Sequence, residues 1–215
     1  MRRYLAELIG TFAMVFCGTG AIIIDQVSGG SITHVGVAMT FGLIVLGMIY
    51  SLGDISGAHL NPAVSIAFTL SKRLGIKDAI AYIIFQISGA CMASLILKLM
   101  FPLNENLGAT IPSGSDMQSF ILEIILTFIL MFVILNVSTG AKEKGITAGI
   151  AVASIVGLEA MFAGPICGAS MNPARSLAPA LLSGHLQSLW IYIFAPIIGA
   201  WIAVLCFQFL NPKDK

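Results

Sequence analysis

The chain has 215 residues and a formal net charge of +1, and it is 58% hydrophobic but only 10% charged. Average soluble domains contain roughly 25% charged residues, so a water-soluble domain of this size could not bury so much apolar surface. The composition, with a mean hydropathy of +0.98, therefore predicts an integral membrane protein in contact with lipid. The basic residues are scattered, which excludes a nucleic-acid-binding surface as an interpretation.

Six apolar segments are long enough to cross a bilayer, at about 5–24, 32–52, 79–100, 119–138, 145–163 and 188–210. An even number of spans puts both termini on the same side. Most of the Lys and Arg residues fall on that side, namely Arg2, Arg3, Lys72, Arg73, Lys77, Lys142, Lys144, Lys213 and Lys215. By the positive-inside rule, both termini are expected in the cytoplasm.

The tripeptide Asn-Pro-Ala occurs twice outside these spans, as Asn61, Pro62 and Ala63 and again as Asn172, Pro173 and Ala174. Each copy precedes an apolar stretch of about ten residues, which is too short to cross a bilayer. Asn is a preferred N-cap and Pro is favoured at the first helical position, so each triplet predicts the start of a re-entrant half-helix. Non-helical backbone at membrane depth is tolerated where it lines a watery cavity, which indicates a pore.

The two halves of the chain resemble each other. Glu7 lies in A-E-L-I-G-T-F and Glu123 in L-E-I-I-L-T-F, and they precede Asn61 and Asn172 by 54 and 49 residues. We interpret this as an internal duplication, with repeats at about 1–100 and 119–211 inside a single domain of residues 1–215. Each repeat holds three spans, an odd number, so the repeats enter the membrane in opposite directions. The predicted fold is an all-α membrane protein with six transmembrane helices, two re-entrant half-helices and an inverted repeat.

These motifs resemble the aquaporin and aquaglyceroporin superfamily, the major intrinsic proteins. The resemblance covers essentially the whole chain and includes S-G-A-H and G-A-S-M before the two triplets, and Arg175 after the second. The sequence from Phe162 to Leu177 is most similar to that of the nodulin-26-like branch. The family implies a homotetramer in which each subunit has its own pore.

The residue types predict how such a pore selects its solutes. Two half-helix N-termini that meet inside the membrane each present roughly half a positive charge. The side-chain amides of Asn61 and Asn172 can offer N–H donors to a passing water, which disfavours an unbroken proton wire, and Arg175 repels cations. The predicted function is a passive channel for water and small uncharged solutes that excludes protons and ions.

The resemblance places the narrow filter of the family at Phe41, Ala160, Ala169 and Arg175. Water-selective members usually carry His where Ala160 stands, so the filter is expected to be wider and more apolar there. The alternative function is therefore an aquaglyceroporin or metalloid-type channel for glycerol, urea, or arsenous or boric acid. Two positions give a mixed signature: glycerol channels generally have Asp where Ser176 stands, and nodulin-26-like members usually have Trp or a small residue where Phe41 stands.

Three further groups have expected roles. In the resembled family, glutamates such as Glu7 and Glu123 hold loop backbone amides near the half-helices, although intramembrane acids can also contact the permeant. His59 corresponds to a residue that lines the cytoplasmic vestibule. Glu159 adjoins Ala160, and one helical residue is about 100° of rotation, so Glu159 should face a neighbouring helix or subunit as a buried, protonated structural acid.

Other classes of function find less support in the sequence. A secondary transporter or ion channel would need titratable or cation-coordinating groups at the midplane, where this chain has asparagines and helix N-termini. An enzyme would need a nucleophile motif, a phosphate loop or a metal-ligand cluster, and we expect no catalytic residues, metal or cofactor. The short tails predict a prokaryotic plasma membrane as the location.

Overall fold

The computed structural model describes residues 1–138 and 142–212, without the side chains of residues 142–146. Its elements are eight helices: α1 (Arg2–Val27), α2 (Thr33–Ser56), α3 (Pro62–Leu70), α4 (Ile76–Met100), α5 (Asp116–Val137), α6 (Lys142–Cys167), α7 (Pro173–Ser183) and α8 (Leu189–Leu210). No strand occurs within the described residues. The fold is therefore all-α, as the composition and the helix-start signals predict.

Six of the helices are long and apolar enough to cross a membrane, namely α1, α2, α4, α5, α6 and α8. The remaining two, α3 and α7, have 9 and 11 residues and are too short to do so. The predicted spans and half-helices are thus confirmed, with boundaries that differ by a few residues because polar first and last turns extend the apolar segments. Lys142, Lys144, Lys213 and Lys215, which the topology prediction uses, lie outside the described residues or side chains.

The packing of the helices repeats in the two halves. Helix α1 packs against α2 and α4, and in the same way α5 packs against α6 and α8. Each half-helix packs against the fourth helix of both halves, α3 on α4 and α8, and α7 on α8 and α4. The two halves meet through α2 against α6 and through α3 against α7. This exchange of half-helices makes the two repeats one packed body around a common centre.

Equivalent glycines allow the closest helix contacts in each half. A Cβ atom on Gly89 of α4 would collide with the carbonyl oxygen of Leu8 on α1, and one on Gly199 of α8 with that of Ile124 on α5. Small residues at such crossings let membrane helices approach closely, which replaces the hydrophobic driving force that lipid does not supply. The two glycines thus allow α4 to lie directly against α1, and α8 directly against α5, next to the turns that carry Glu7 and Glu123.

Candidate functional site

Both half-helices begin at the asparagine of their triplet. The side-chain oxygen of Asn61 accepts a hydrogen bond from the Ala63 amide at 2.9 Å, and that of Asn172 accepts from the Ala174 and Arg175 amides at 3.0 and 3.3 Å. The prolines that follow have no N–H to leave unsatisfied at the first helical position. Each N-cap therefore fixes the direction of its half-helix and of the helix dipole.

The other end of each asparagine side chain links the two halves. Nδ2 of Asn61 donates to the carbonyl oxygen of Met171 at 2.7 Å, and Nδ2 of Asn172 donates to that of Leu60 at 2.8 Å. An amide group carries two N–H donors, so one remains on each asparagine. On Asn172 it lies near the Met14 sulfur at 3.8 Å, a weak acceptor that a water oxygen can replace. Reciprocal capping thus leaves one donor per asparagine for the lumen.

The loop residues before the triplets have unusual backbone conformations. Ala58 and Leu60 have φ angles of 47° and 54°, and Ala169 and Met171 have 41° and 53°. Non-glycine residues in this left-handed region cost about 1–3 kcal/mol each, so surrounding contacts must hold them. The symmetry of the four positions shows that the same backbone path is imposed on both loops.

A buried carboxylate holds the first loop. Glu7 accepts hydrogen bonds from the backbone amides of His59 at 2.9 Å and Leu60 at 2.7 Å. It also accepts from Ser56 Oγ and Gln86 Nε2, both at 2.7 Å. Four donors to one carboxylate offset much of its desolvation cost. Gln86 and Ser56 belong to the site, although sequence reasoning did not single them out.

Glu123 holds the second loop with fewer contacts. It accepts from the backbone amides of Ser170 at 2.7 Å and Met171 at 2.8 Å. Thus both glutamates bind the two residues immediately before the asparagine. Both are 0% exposed, which places them behind the pore wall.

Two cavities adjoin the meeting point of the half-helices. An inner cavity of about 140 Å³, on the side of the chain termini, includes Asn61 and Asn172 together with His59 and mainly apolar side chains. An outer cavity of about 470 Å³ lies on the opposite side and is lined in part by Asp25, His34 and Arg175. Gly168 and Ala169 line the outer cavity while Ser170 to Asn172 line the inner one. The second loop therefore forms the boundary between them.

The structure brings the four predicted filter positions together. Phe41, Ala160, Ala169 and Arg175 all line the outer cavity. The Arg175 guanidinium lies over the Phe41 ring at 5.1 Å, and its Nη1 donates to the Gly108 carbonyl oxygen at 2.8 Å. Burial lowers the pKa of Arg175 to about 10, which still leaves it charged at neutral pH. Because α6 contributes Ala160 to the filter, the filter has no polar side chain from α6 at this position.

Ser176 is occupied by a hydrogen-bond chain behind the filter. Its Oγ bonds to Thr110 Oγ1 at 2.7 Å and to Ser170 Oγ at 2.6 Å, and the residue is 0% exposed. Ser65 occupies the equivalent position in the first triplet segment, where its Oγ accepts from Gln86 Nε2 at 3.0 Å. The shared N-P-A-x-S spacing was a sequence signal for this pair.

His59 stands on the wall of the inner cavity. Its ring stacks on Phe68 at 4.5 Å between ring centroids and meets the edge of Tyr82 at 5.2 Å. Nδ1 lies 3.1 Å from Ser65 Oγ. Burial lowers the pKa of His59 to about 4, so its ring is neutral at physiological pH. The imidazole therefore presents a polar edge without a charge.

A six-span bundle in which two capped half-helices meet between two cavities defines a transmembrane channel. A sequence profile of the family described as major intrinsic protein matches residues 1–207. The chain belongs to the major intrinsic protein family. This membership confirms the predicted family and the predicted class of function, a membrane channel for water and small solutes.

Individual relatives indicate the same family and also the branch within it. The chain is 47% identical over 216 residues to aquaporin NIP1-1 of Oryza sativa subsp. japonica, covering 100% of this chain and 76% of the relative. It is 38% identical to Nodulin-26 of Glycine max, with coverage of 100% and 80%. The structure of the aquaglyceroporin from Plasmodium falciparum superimposes with a TM-score of 0.85 at 26% identity, over 99% of this chain and 98% of that one. The similarity to the nodulin-26-like branch is confirmed.

The same relatives bear on location. An integral, multi-pass membrane protein is what the family and the six candidate spans support. The NIP-type relatives come from plants, so they give no support to the expectation of a prokaryotic plasma membrane. That expectation rested on the length of the tails alone, which does not identify the host.

Proposed function

We propose that the chain is a passive channel that conducts water and small uncharged solutes and excludes protons and other ions. The observation that carries this proposal is the reciprocal bonding of Asn61 and Asn172, which fixes two helix N-termini against each other inside the bundle. Both dipoles disfavour cations at that point. The remaining amide N–H groups orient a passing water by its oxygen, so neighbouring waters cannot relay a proton through it.

We further propose that the filter is wider than in water-selective channels. Ala160 contributes a methyl group to the cavity wall, where a His side chain would add a ring and narrow the opening, while Phe41 and Arg175 line the same cavity. Glycerol, urea, and arsenous or boric acid are therefore candidate solutes besides water. The structural neighbour is an aquaglyceroporin, which favours this alternative. The hydroxyl of Ser176 is hydrogen-bonded to Thr110 and Ser170, which keeps it out of the lumen.

The test is stopped-flow swelling and shrinking of proteoliposomes with water, glycerol, urea and arsenous acid measured side by side. We expect a high water rate together with measurable glycerol entry. In Ala160→His, the ring should restore a narrow opening and reduce glycerol entry about 10-fold or more while water flow continues. Exclusion of every solute but water by the unchanged channel would contradict the wide filter. Proton conductance with water flow would contradict the dipole argument.

The proposal also covers the assembly of the chain, its orientation in the membrane and the absence of catalysis. The chain acts as a homotetramer of single-domain subunits, as the family resemblance implies. Both termini face the cytoplasm, which the basic residues Arg2, Arg3, Lys72, Arg73 and Lys77 support. The chain catalyses no reaction and binds no cofactor, which accords with membership of a family of channels.

A further inference from the structure

A proline interrupts the hydrogen bonding of α6 close to the filter. Pro165 lies inside the helix, and it has no N–H to donate to the carbonyl oxygen of Met161, one helical turn earlier. Proline is tolerated in a membrane-spanning helix where another group satisfies the carbonyl that it frees. Met161 directly follows the filter residue Ala160, so the partner of this carbonyl also affects the wall of the filter.

The imidazole of His34, on α2, satisfies the freed carbonyl. Its Nε2 lies 2.6 Å from the Met161 carbonyl oxygen. A carbonyl oxygen only accepts hydrogen bonds, so Nε2 carries a proton and donates it. Gly164 leaves room for the ring, because a Cβ atom there would lie 2.8 Å from His34 Cε1. A side chain of α2 thus replaces the backbone donor that Pro165 removes from α6.

The backbone that carries His34 is itself held in place. Oδ1 of Asp25, near the end of α1, accepts hydrogen bonds from the amides of Ile32 at 2.9 Å and Thr33 at 2.7 Å. Thr33 has a φ of 63°, a conformation that non-glycine residues keep only where surrounding contacts hold them. His34 follows immediately, so an anchored helix start places its ring.

The corresponding turn of α2 needs no such donor. Gly57 and Gly168 directly follow α2 and α6, and when these glycines are aligned, Pro165 corresponds to Asp54. An aspartate keeps its backbone N–H, so α2 continues through this turn to Ser56 with a helical donor at that position. The proline in the second repeat therefore lies in the half whose loop carries the filter.

The hydrogen bond between His34 and Met161 joins the two helices that carry Phe41 and Ala160. Phe41 follows His34 by seven residues on α2, which is about two helical turns and therefore the same face. Ala160 precedes Met161 on α6. His34, Phe41 and Ala160 all line the outer cavity, and α2 packs against α6. The bond thus ties two walls of the filter together from the outer side.

We propose that His34 is a positioning residue that sets the width of the filter by tying α2 to α6 at the Met161 carbonyl. This inference deepens the proposed channel function and rests on it. Without the tie, the Met161 carbonyl lacks its donor, and the turn of α6 that carries Ala160 moves away from Phe41. The opening then widens, and solutes larger than water gain more permeability than water does.

The experiment compares two substitutions of similar size in proteoliposomes. His34→Met removes the donor, whereas His34→Gln retains N–H donors at the end of an unbranched side chain. The readout is the ratio of glycerol permeability to water permeability. We expect His34→Met to raise this ratio about threefold or more, and His34→Gln to keep it within about twofold of the unchanged protein. A ratio that is equal in the two variants, or lower in His34→Met, would overturn the proposal.

A second pair of variants tests the reason for the tie. Pro165→Ala returns a backbone N–H to α6, so the Met161 carbonyl regains a helical partner. In that background, His34→Met and His34→Gln should give the same ratio, because the carbonyl no longer depends on a donor from α2. A difference that persists at full size would overturn the proposal and would assign the effect to contact between residue 34 and the solute.

A spectroscopic measurement separates a failure of this inference from a failure of the channel function, because it needs no transport. Nitrogen-15 magnetic resonance of the histidine-labelled protein in lipid, at mildly alkaline pH, reports which ring nitrogen carries the proton. The His34 signal, assigned by its absence in His34→Gln, should show the proton on Nε2. A proton on Nδ1 alone would overturn the proposal whatever the permeabilities, while the water rate of the unchanged protein tests the channel function by itself.

Discussion

At the scale of single residues, Glu7 and Glu123 perform equivalent tasks with unequal support. Glu7 accepts from four donors, and Glu123 accepts from two backbone amides. A carboxylate is an acceptor at both oxygens, whereas the glutamine amide turns two N–H groups toward donors. The consequence of an isosteric substitution should therefore differ between the two halves.

We predict that Glu7→Gln lowers the free energy of unfolding by about 3 kcal/mol, because buried donors lose their acceptor. Glu123→Gln, the matched control, should cost about 1–2 kcal/mol because fewer donors are affected. Thermal unfolding of the detergent-purified channels, followed by circular dichroism, measures the order of the two effects. A larger loss of stability in Glu123→Gln would contradict the argument from the number of hydrogen-bond donors.

The neutral His59 ring leads to a second prediction. Its pKa of about 4 lies below the ordinary value near 6.5, so the folded protein favours the neutral ring. Protonation sets in as the pH falls toward 4, and the stability gained from a neutral ring is lost below about pH 6.5. We expect water permeability to stay constant between about pH 7 and about pH 5. A step near pH 6 that disappears in His59→Phe would show that the ring titrates in the vestibule.

The sequence predicts part of this site and misses part of it for a physical reason. Asn61 and Asn172 can be recognised in the sequence because an N-cap and the following proline are local signals. Gln86, Ser56 and the Gly108 carbonyl contribute through tertiary packing, with partners 79, 49 and 67 residues away. Spacing along the chain contains no information about such contacts.

At the scale of elements, the half-helices follow closely from the sequence, while the partners at the helix crossings do not. Both half-helices begin at the predicted prolines, Pro62 and Pro173, and the second ends at Ser183, directly before Gly184, whose φ is 85°. Such a glycine is a common C-terminal signal. Glycines such as Gly89 and Gly199 in an apolar span indicate close helix crossings. Which backbone each one meets, Leu8 and Ile124, is a tertiary contact that the sequence does not specify.

Gly89→Ala tests the crossing of α1 and α4. The added Cβ collides with the Leu8 carbonyl oxygen, so the helices must separate, at a cost of about 1–3 kcal/mol. Gly47→Ala on α2 is the matched control, because a Cβ there would meet no atom within 4 Å. We expect a lower unfolding temperature for Gly89→Ala alone; equal unfolding temperatures for the two variants would show that the crossing is not tight.

At the scale of the whole molecule, the two halves make one pore, and the family resemblance predicts that several pores assemble. Large apolar side chains remain exposed on several spans, among them Leu43, Ile84, Trp201 and Phe194. Lipid can cover such surfaces, and so can neighbouring subunits. Exposure in a single chain therefore does not determine the number of copies, which is why this property has to be measured.

We predict a tetramer with independent pores. Native mass spectrometry from lipid-like detergent should give the mass of four chains. Co-assembly with Ala169→Trp, which fills the filter, should reduce water permeability in proportion to the fraction of altered subunits. A steeper decrease would mean that the subunits share one conducting path.

The hydrogen bonds of Asn61 and Asn172 to the opposite loops can form only after both halves of the chain have been synthesised. The acceptor of the Asn61 side chain is Met171, 110 residues later, and at about 5–20 residues per second the ribosome needs roughly 5–20 s to reach it. Throughout that interval the first loop lacks its hydrogen bond to the second loop, which has not yet been synthesised. An insertion machinery or chaperone that shields the first repeat during this delay would decide the yield of functional channels.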